Sequence, residues 1–108
     1  MSSISSFYNQ NNNSYCLSVT TTSHAAVQIT GNLASNIQVR VRVVTNDVFL
    51  VFSQNGTAAV IPTDGTPANG MCVPPGVETF TIPQNSMVTA ICAAGNTATV
   101  YLTPGEGM

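Results

Sequence analysis

Between Ile37 and Val43 apolar and polar residues alternate without a break: Ile37, Val39, Val41 and Val43 against Gln38, Arg40 and Arg42. A period of two fits a strand, whose side chains point to opposite faces at each step, and does not fit a helix. A slip of one residue would turn both guanidinium groups into the core, so register is fixed along with element type. The alternation recurs at Tyr15, Leu17 and Val19, at Ala25, Val27 and Ile29, at Phe80 and Ile82, and at Ala98, Val100 and Leu102. Thr and Val together make up a quarter of the chain. Both branch at Cβ, lose rotamer freedom in a helix and suit a pleated strand. Lys is absent and Leu and Glu are scarce, which removes the best helix formers apart from Ala. The chain is expected to be all-β.

Turn signals divide it into eight or nine short strands. Asn46-Asp47 and Asn55-Gly56 are expected to be tight hairpin turns, since these residues tolerate positive φ. With Thr57 to Ile61 as the returning strand, residues 37–61 then form a three-stranded meander. Residues 62–70, PTDGTPANG, form a loop, followed by a short strand at Met71 to Val73 that Pro74-Pro75-Gly76 stops. Pro83-Gln84-Asn85 turns. Gly95-Asn96 is expected to close a further hairpin, and Pro104-Gly105 to end the last strand. The segments NGTAAVIPTDG and GNTATVYLTPGEG look like one hairpin-return chemistry used twice. Val48 to Phe52 and Met87 to Ala93 are apolar on both faces, so each is a central strand or has its second face covered by another subunit. Turns every 8–12 residues favour an antiparallel two-sheet sandwich, jelly-roll-like, with an immunoglobulin-like sandwich as the alternative. A chain of 108 residues holds one domain. Residues 15–108 are assigned to that sandwich. Residues 1–14, rich in Ser, Asn and Gln, cannot offset their own ordering entropy and read as a flexible N-terminal arm. Its apolar anchors are Ile4, Phe7 and Tyr8.

Charged residues are only 6% of the chain: Arg40, Arg42, Asp47, Asp64, Glu78 and Glu106. Two basic side chains are far too few for a nucleic-acid binder, which neutralises many phosphates. No stretch approaches the ~20 apolar residues of a membrane span, and the N-terminus lacks a basic region followed by an apolar run. Hydroxyl and amide surfaces cost less to bury than charged ones, and a net charge of −2 gives little repulsion between copies. The composition thus favours a homo-oligomer. No catalytic, metal or cofactor site is expected. One histidine, His24, does not make a His-based metal site and reads as a surface residue. The four carboxylates do not cluster. Cys16, Cys72 and Cys92 are odd in number and without metal-ligand spacing, so small buried thiols are favoured over a disulfide. Arg40 and Arg42 project side by side from one strand face, a geometry suited to clasping a partner's carboxylate. Ile4, Phe7, Tyr8, Arg40 and Arg42 are the candidate partner-binding residues.

VPPGVETFTIPQNSMVTAICAAGNTATVYLTPGEG, the second part of the chain, resembles small virion-associated proteins of tailed bacteriophages. The likeness lies in Pro75-Gly76, Glu78, Phe80, Thr81 and Pro83, and in the closing Thr103-Pro104-Gly105-Glu106-Gly107. It extends in style over residues 25–107. The resemblance implies a head decoration or cement protein. Such a protein is a structural protein of the virion, made in the host cytoplasm, that binds the capsid surface and braces the major capsid protein. It implies no catalytic residues. Neck, tail or fibre components of the virion, and carbohydrate-binding sandwich modules, are the alternatives.

Overall fold

In the computed structural model, the described residues are 8–9, 14–29, 37–83 and 85–106. They contain nine strands and no helix: β1 (Tyr8–Asn9), β2 (Tyr15–Val19), β3 (Val27–Gln28), β4 (Ile37–Val44), β5 (Val48–Ser53), β6 (Met71–Val73), β7 (Gly76–Ile82), β8 (Met87–Ile91) and β9 (Ala98–Glu106). All pairings are antiparallel. One sheet, here sheet A, runs β9-β4-β7, with β1 and β2 sharing the other edge of β9; sheet B runs β3-β8-β5-β6. The pairs β2·β9, β3·β8, β4·β7 and β5·β6 are nested, each inside the one before, and β4·β9 and β5·β8 join them into the two sheets.

The sheets pack into a sandwich because alternation gives each a continuous apolar face. Leu17, Val19, Val39, Val41, Val43, Val100 and Leu102 from sheet A meet Val48, Leu50, Val73, Val88 and Ala90 from sheet B in one buried cluster. Val39, Val41 and Val43 are wholly buried while Arg40 and Arg42 are exposed, as the unbroken alternation of β4 requires. At one end Phe52 of β5 reaches Phe80 of β7, with ring centroids 5.8 Å apart and planes tilted by 47°.

The meander does not form. β4 and β5 lie in different sheets, so Thr45 to Asp47 is an arch between layers. Thr45 takes φ +90°, strained for a β-branched residue. Gly95-Asn96 likewise closes a turn, with the Asn96 N–H donating to the Ala93 carbonyl at 3.0 Å, but it leads from β8 in sheet B to β9 in sheet A. The Asn46 side-chain amide donates to the Thr97 carbonyl at 2.8 Å and ties the two arches together. An arch and a hairpin both reverse the chain, and the same turn residues serve either. The segment that begins at Gly95 is therefore not a hairpin return. β9 also continues through Pro104 and Gly105, which pair with Val39 and Gln38. Among the described residues Pro104 has no partner on the other edge of β9, a position where proline is tolerated.

Thr57 to Ile61 is not a strand. Residues 54–70 form a strap laid over the outer face of sheet B. Ala59 is buried at 3% exposure, and its N–H donates to Ser23 Oγ at 2.9 Å. The Thr89 hydroxyl, outward from β8, donates to the Thr57 carbonyl at 2.8 Å. Asn69 clamps the strap from both ends: its Oδ1 accepts the Val60 N–H at 2.8 Å, and its Nδ2 donates to the Ala58 carbonyl at 2.9 Å. Gly70 donates its N–H to the Val60 carbonyl at 2.9 Å. The second apolar faces of β5 and β8 are thus covered by the chain itself, and no second subunit is required for them.

Candidate functional site

Sheet A has no such cover among the described residues. Its outer face carries the side chains left over when β2, β4, β7 and β9 turn their apolar halves inward. Cross-strand register arranges them in rows. Cys16, Tyr101, Arg42 and Val77 are successive partners across β2, β9, β4 and β7. Thr103, Arg40 and Thr79 form the next row, and Ser14 extends it through a 2.9 Å hydroxyl–hydroxyl hydrogen bond to Thr103. Ser18, Thr99 and Val44 form a third. Strand spacing makes each full row about 14 Å wide, and Arg40 and Arg42 stand about 7 Å apart along β4. Tyr101 is 47% exposed and Val77 46%. The face is therefore a platform of hydroxyls with one half-exposed aromatic, one half-exposed aliphatic and two cations.

Both Arg residues named by the sequence stand on this platform. They carry all the formal side-chain positive charge of the chain, on the middle strand of the face. Tyr8 and Asn9 pair with Glu106 and Gly105, extending the sheet beyond β2. Ile4 and Phe7 lie outside the described residues. The significance of Val77 and Tyr101 emerges only from register, which puts them on either side of Arg42; periodicity alone marks them as outward.

The remaining chemistry is dispersed. Among the described residues no three of His, Cys, Asp and Glu come together. His24 is half-buried between β2 and β3, its Nδ1 2.7 Å from the Ala25 carbonyl oxygen and its backbone N–H donating to Ala90. The expectation of buried thiols holds for Cys92 alone; Cys16 and Cys72 are exposed. Cys16 alternates with buried Leu17 and so faces outward, and Cys72 faces outward from the short strand β6, opposite Phe49. None of the three is paired. Burial pushes the Cys92 thiol above its ordinary value. Partial desolvation of the otherwise exposed Cys72 thiol, with the nearby Asp47 charge, does the same there. An open cleft of about 500 Å³ lies beside Phe52 and Phe80, with Leu50, Met71, Ile82 and Pro83 on its walls. Its polar members among the described residues are Asn69 and Thr81, and none of the described residues lining it is titratable.

Comparison with models of protein families, with curated proteins and with solved structures gave no significant match.

Proposed function

We propose that β2–β9 are wound as a jelly roll, and that the domain is a non-enzymatic structural protein of a bacteriophage virion. It decorates and cements the outside of the head by laying sheet A on the coat lattice. The nested pairing supports the first part: a long ribbon of four paired segments, rolled so that its halves stack, gives this strand order. One observation carries the second. Among the described residues, one of the two outer sheet faces is left uncovered, and both basic side chains stand on it. Neutral hydroxyls around a pair of guanidinium groups desolvate at modest cost, while the guanidiniums select a carboxylate-bearing partner and fix the orientation of docking. The resemblance of residues 25–107 to virion-associated proteins points the same way. Copies of the domain, docked side by side, would also cover the edges of β6 and β7, which otherwise invite uncontrolled pairing.

Co-sedimentation with phage heads prepared without this protein tests the reading. The wild-type domain is expected to pellet with heads and saturate. The Arg40→Glu/Arg42→Glu pair is expected to bind at least tenfold more weakly while remaining folded. Absence of wild-type binding to heads, together with binding to isolated tails or necks, would transfer the role to that part of the virion. Failure to bind any virion component would overturn it.

A further inference from the structure

The chain holds two Asn-Gly dipeptides, Asn55-Gly56 and Asn69-Gly70. Both lie in the strap, and their surroundings are opposite. In Asn-Gly the following backbone nitrogen meets no side-chain obstruction when it approaches the Asn amide carbonyl, so this dipeptide is the most prone to cyclise. At Asn69-Gly70 every participating group is already engaged. The Asn69 amide is bonded through both its oxygen and its nitrogen, and the Gly70 N–H is donated to Val60. At Asn55-Gly56 the side chain is exposed, and Gly56 sits at φ +70°. The Thr57 hydroxyl donates to Asn55 Oδ1 at 2.6 Å. Thr57 is itself held at both ends, its N–H donating to Ser53 Oγ at 3.0 Å and its carbonyl accepting from Thr89 Oγ1 at 2.8 Å. A fixed donor on a carbonyl oxygen withdraws electron density from the carbon and stabilises the oxyanion that forms on attack.

We propose that Asn55-Gly56 is a self-modifying site: the Gly56 nitrogen closes on the Asn55 side-chain carbonyl, which the Thr57 hydroxyl polarises, and the amide is converted to a carboxylate. Hydroxide takes the Gly56 N–H proton. The nitrogen then bonds to Asn55 Cγ, the Cγ–Nδ2 bond breaks, and the nitrogen leaves with a proton from water as ammonia. Water adds across one of the two ring C–N bonds of the resulting succinimide, leaving aspartate or isoaspartate. No redox partner is involved. The isoaspartyl product carries one extra carbon in the main chain. Gly56 packs closely, since a Cβ built there would lie 3.1 Å from Ala26 Cβ and 3.2 Å from Met87 Sδ. Lengthening the chain at this point, with a new negative charge, loosens the strap from the outer face of sheet B.

Peptide mass spectrometry on the purified full-length protein, incubated at mildly alkaline pH, tests this. Conversion appears as the mass gained when an amide NH2 becomes a hydroxyl. In the native protein Asn55 is expected to convert about 25-fold faster than Asn69: a donor polarises the side-chain carbonyl at both sites, but at Asn69 the Gly70 N–H and the Asn69 Nδ2 are also held, at roughly fivefold each. In urea the two rates are expected to converge. Thr57→Val is expected to slow Asn55 about fivefold in the native protein, the worth of one hydrogen bond, and to leave the rate in urea unchanged. Thr57→Ser, which keeps the hydroxyl, is expected to retain the native rate. Equal native rates at the two sites, or an Asn55 that stays an amide while the urea sample converts, would overturn the site. A native Thr57→Val protein that converts as fast as wild type would overturn the role of the hydroxyl, and so would a Thr57→Ser protein slowed as much as the valine variant.

Discussion

Gly70→Ala tests the strap most sharply. A Cβ at Gly70 would lie 2.6 Å from the Val60 carbonyl oxygen and 2.9 Å from Phe49 Cβ. Neither atom is the end of a flexible side chain, so the new methyl must push the strap away from sheet B. Three hydrogen bonds hold the strap together at this point: Gly70 N–H to Val60, Val60 N–H to Asn69, and Asn69 Nδ2 to Ala58. At about 1 kcal/mol each, their loss costs about 3 kcal/mol. The reduced freedom of alanine in the unfolded chain returns about 0.4–1 kcal/mol. The net loss is therefore about 2–3 kcal/mol, a fall in Tm of roughly 10–20 °C for a domain of this size. Urea unfolding followed by circular dichroism reads it directly as a lower midpoint. Gly65→Ala is the control. Nothing lies within 4 Å of a Cβ there, but φ is +74°, so only the backbone penalty of about 1 kcal/mol applies. A Gly70→Ala protein as stable as wild type, or no less stable than Gly65→Ala, would refute the close approach of strap and sheet.

Three further outcomes follow from the packing. Val41→Asp places an uncompensated carboxylate in the middle of sheet A and is expected to cost at least about 3–5 kcal/mol, whereas Thr99→Asp on the outer face leaves the domain folded, as circular dichroism of the two proteins will report. Thr45→Gly removes the strain of a β-branched residue at φ +90° and is expected to raise Tm by several degrees, a net gain of about 1 kcal/mol after the entropy cost of glycine. A thiol reagent is expected to label Cys16 and Cys72 in the native protein and Cys92 only on unfolding. The Cys72 and Cys92 thiols have raised values in the folded state, so the unfolded chain ionises first. Their stabilising contribution is complete below the ordinary value of 9.0 and is lost as pH rises through the folded values, which denaturation across that range measures.

Alternation carried most of the fold. β2, β4 and β9 bury the residues that a period of two selects, because one wet face and one dry face leave a pattern no other element shares. The doubly apolar runs at β5 and β8 were legible as covered on both sides, but the source of the cover was not. It lies in Asn69 and Gly70, which read as generic loop residues until the backbone of residues 58–60 is placed beside them. Asn46-Asp47 and Gly95-Asn96 read as hairpins because turn chemistry reports a reversal of direction, while crossing between sheets is decided by where the paired strands lie. Pro104 read as a strand end because proline lacks an N–H for the ladder, and its pairing with Val39, distant in sequence, is invisible locally. At the candidate interface, the outward direction of Arg40 and Arg42 was plain from β4 alone. That Tyr101 and Val77 flank Arg42 depends on the pairing of three strands distant in sequence.

Cryo-electron microscopy of intact phage particles carrying this protein tests the central proposal most directly. Density for the sandwich is expected on the outside of the head, with Arg40, Arg42 and Tyr101 turned towards the coat subunits and the strap over sheet B turned away. Density with that face open to solvent, or a particle whose head carries no copy of the domain, would contradict it.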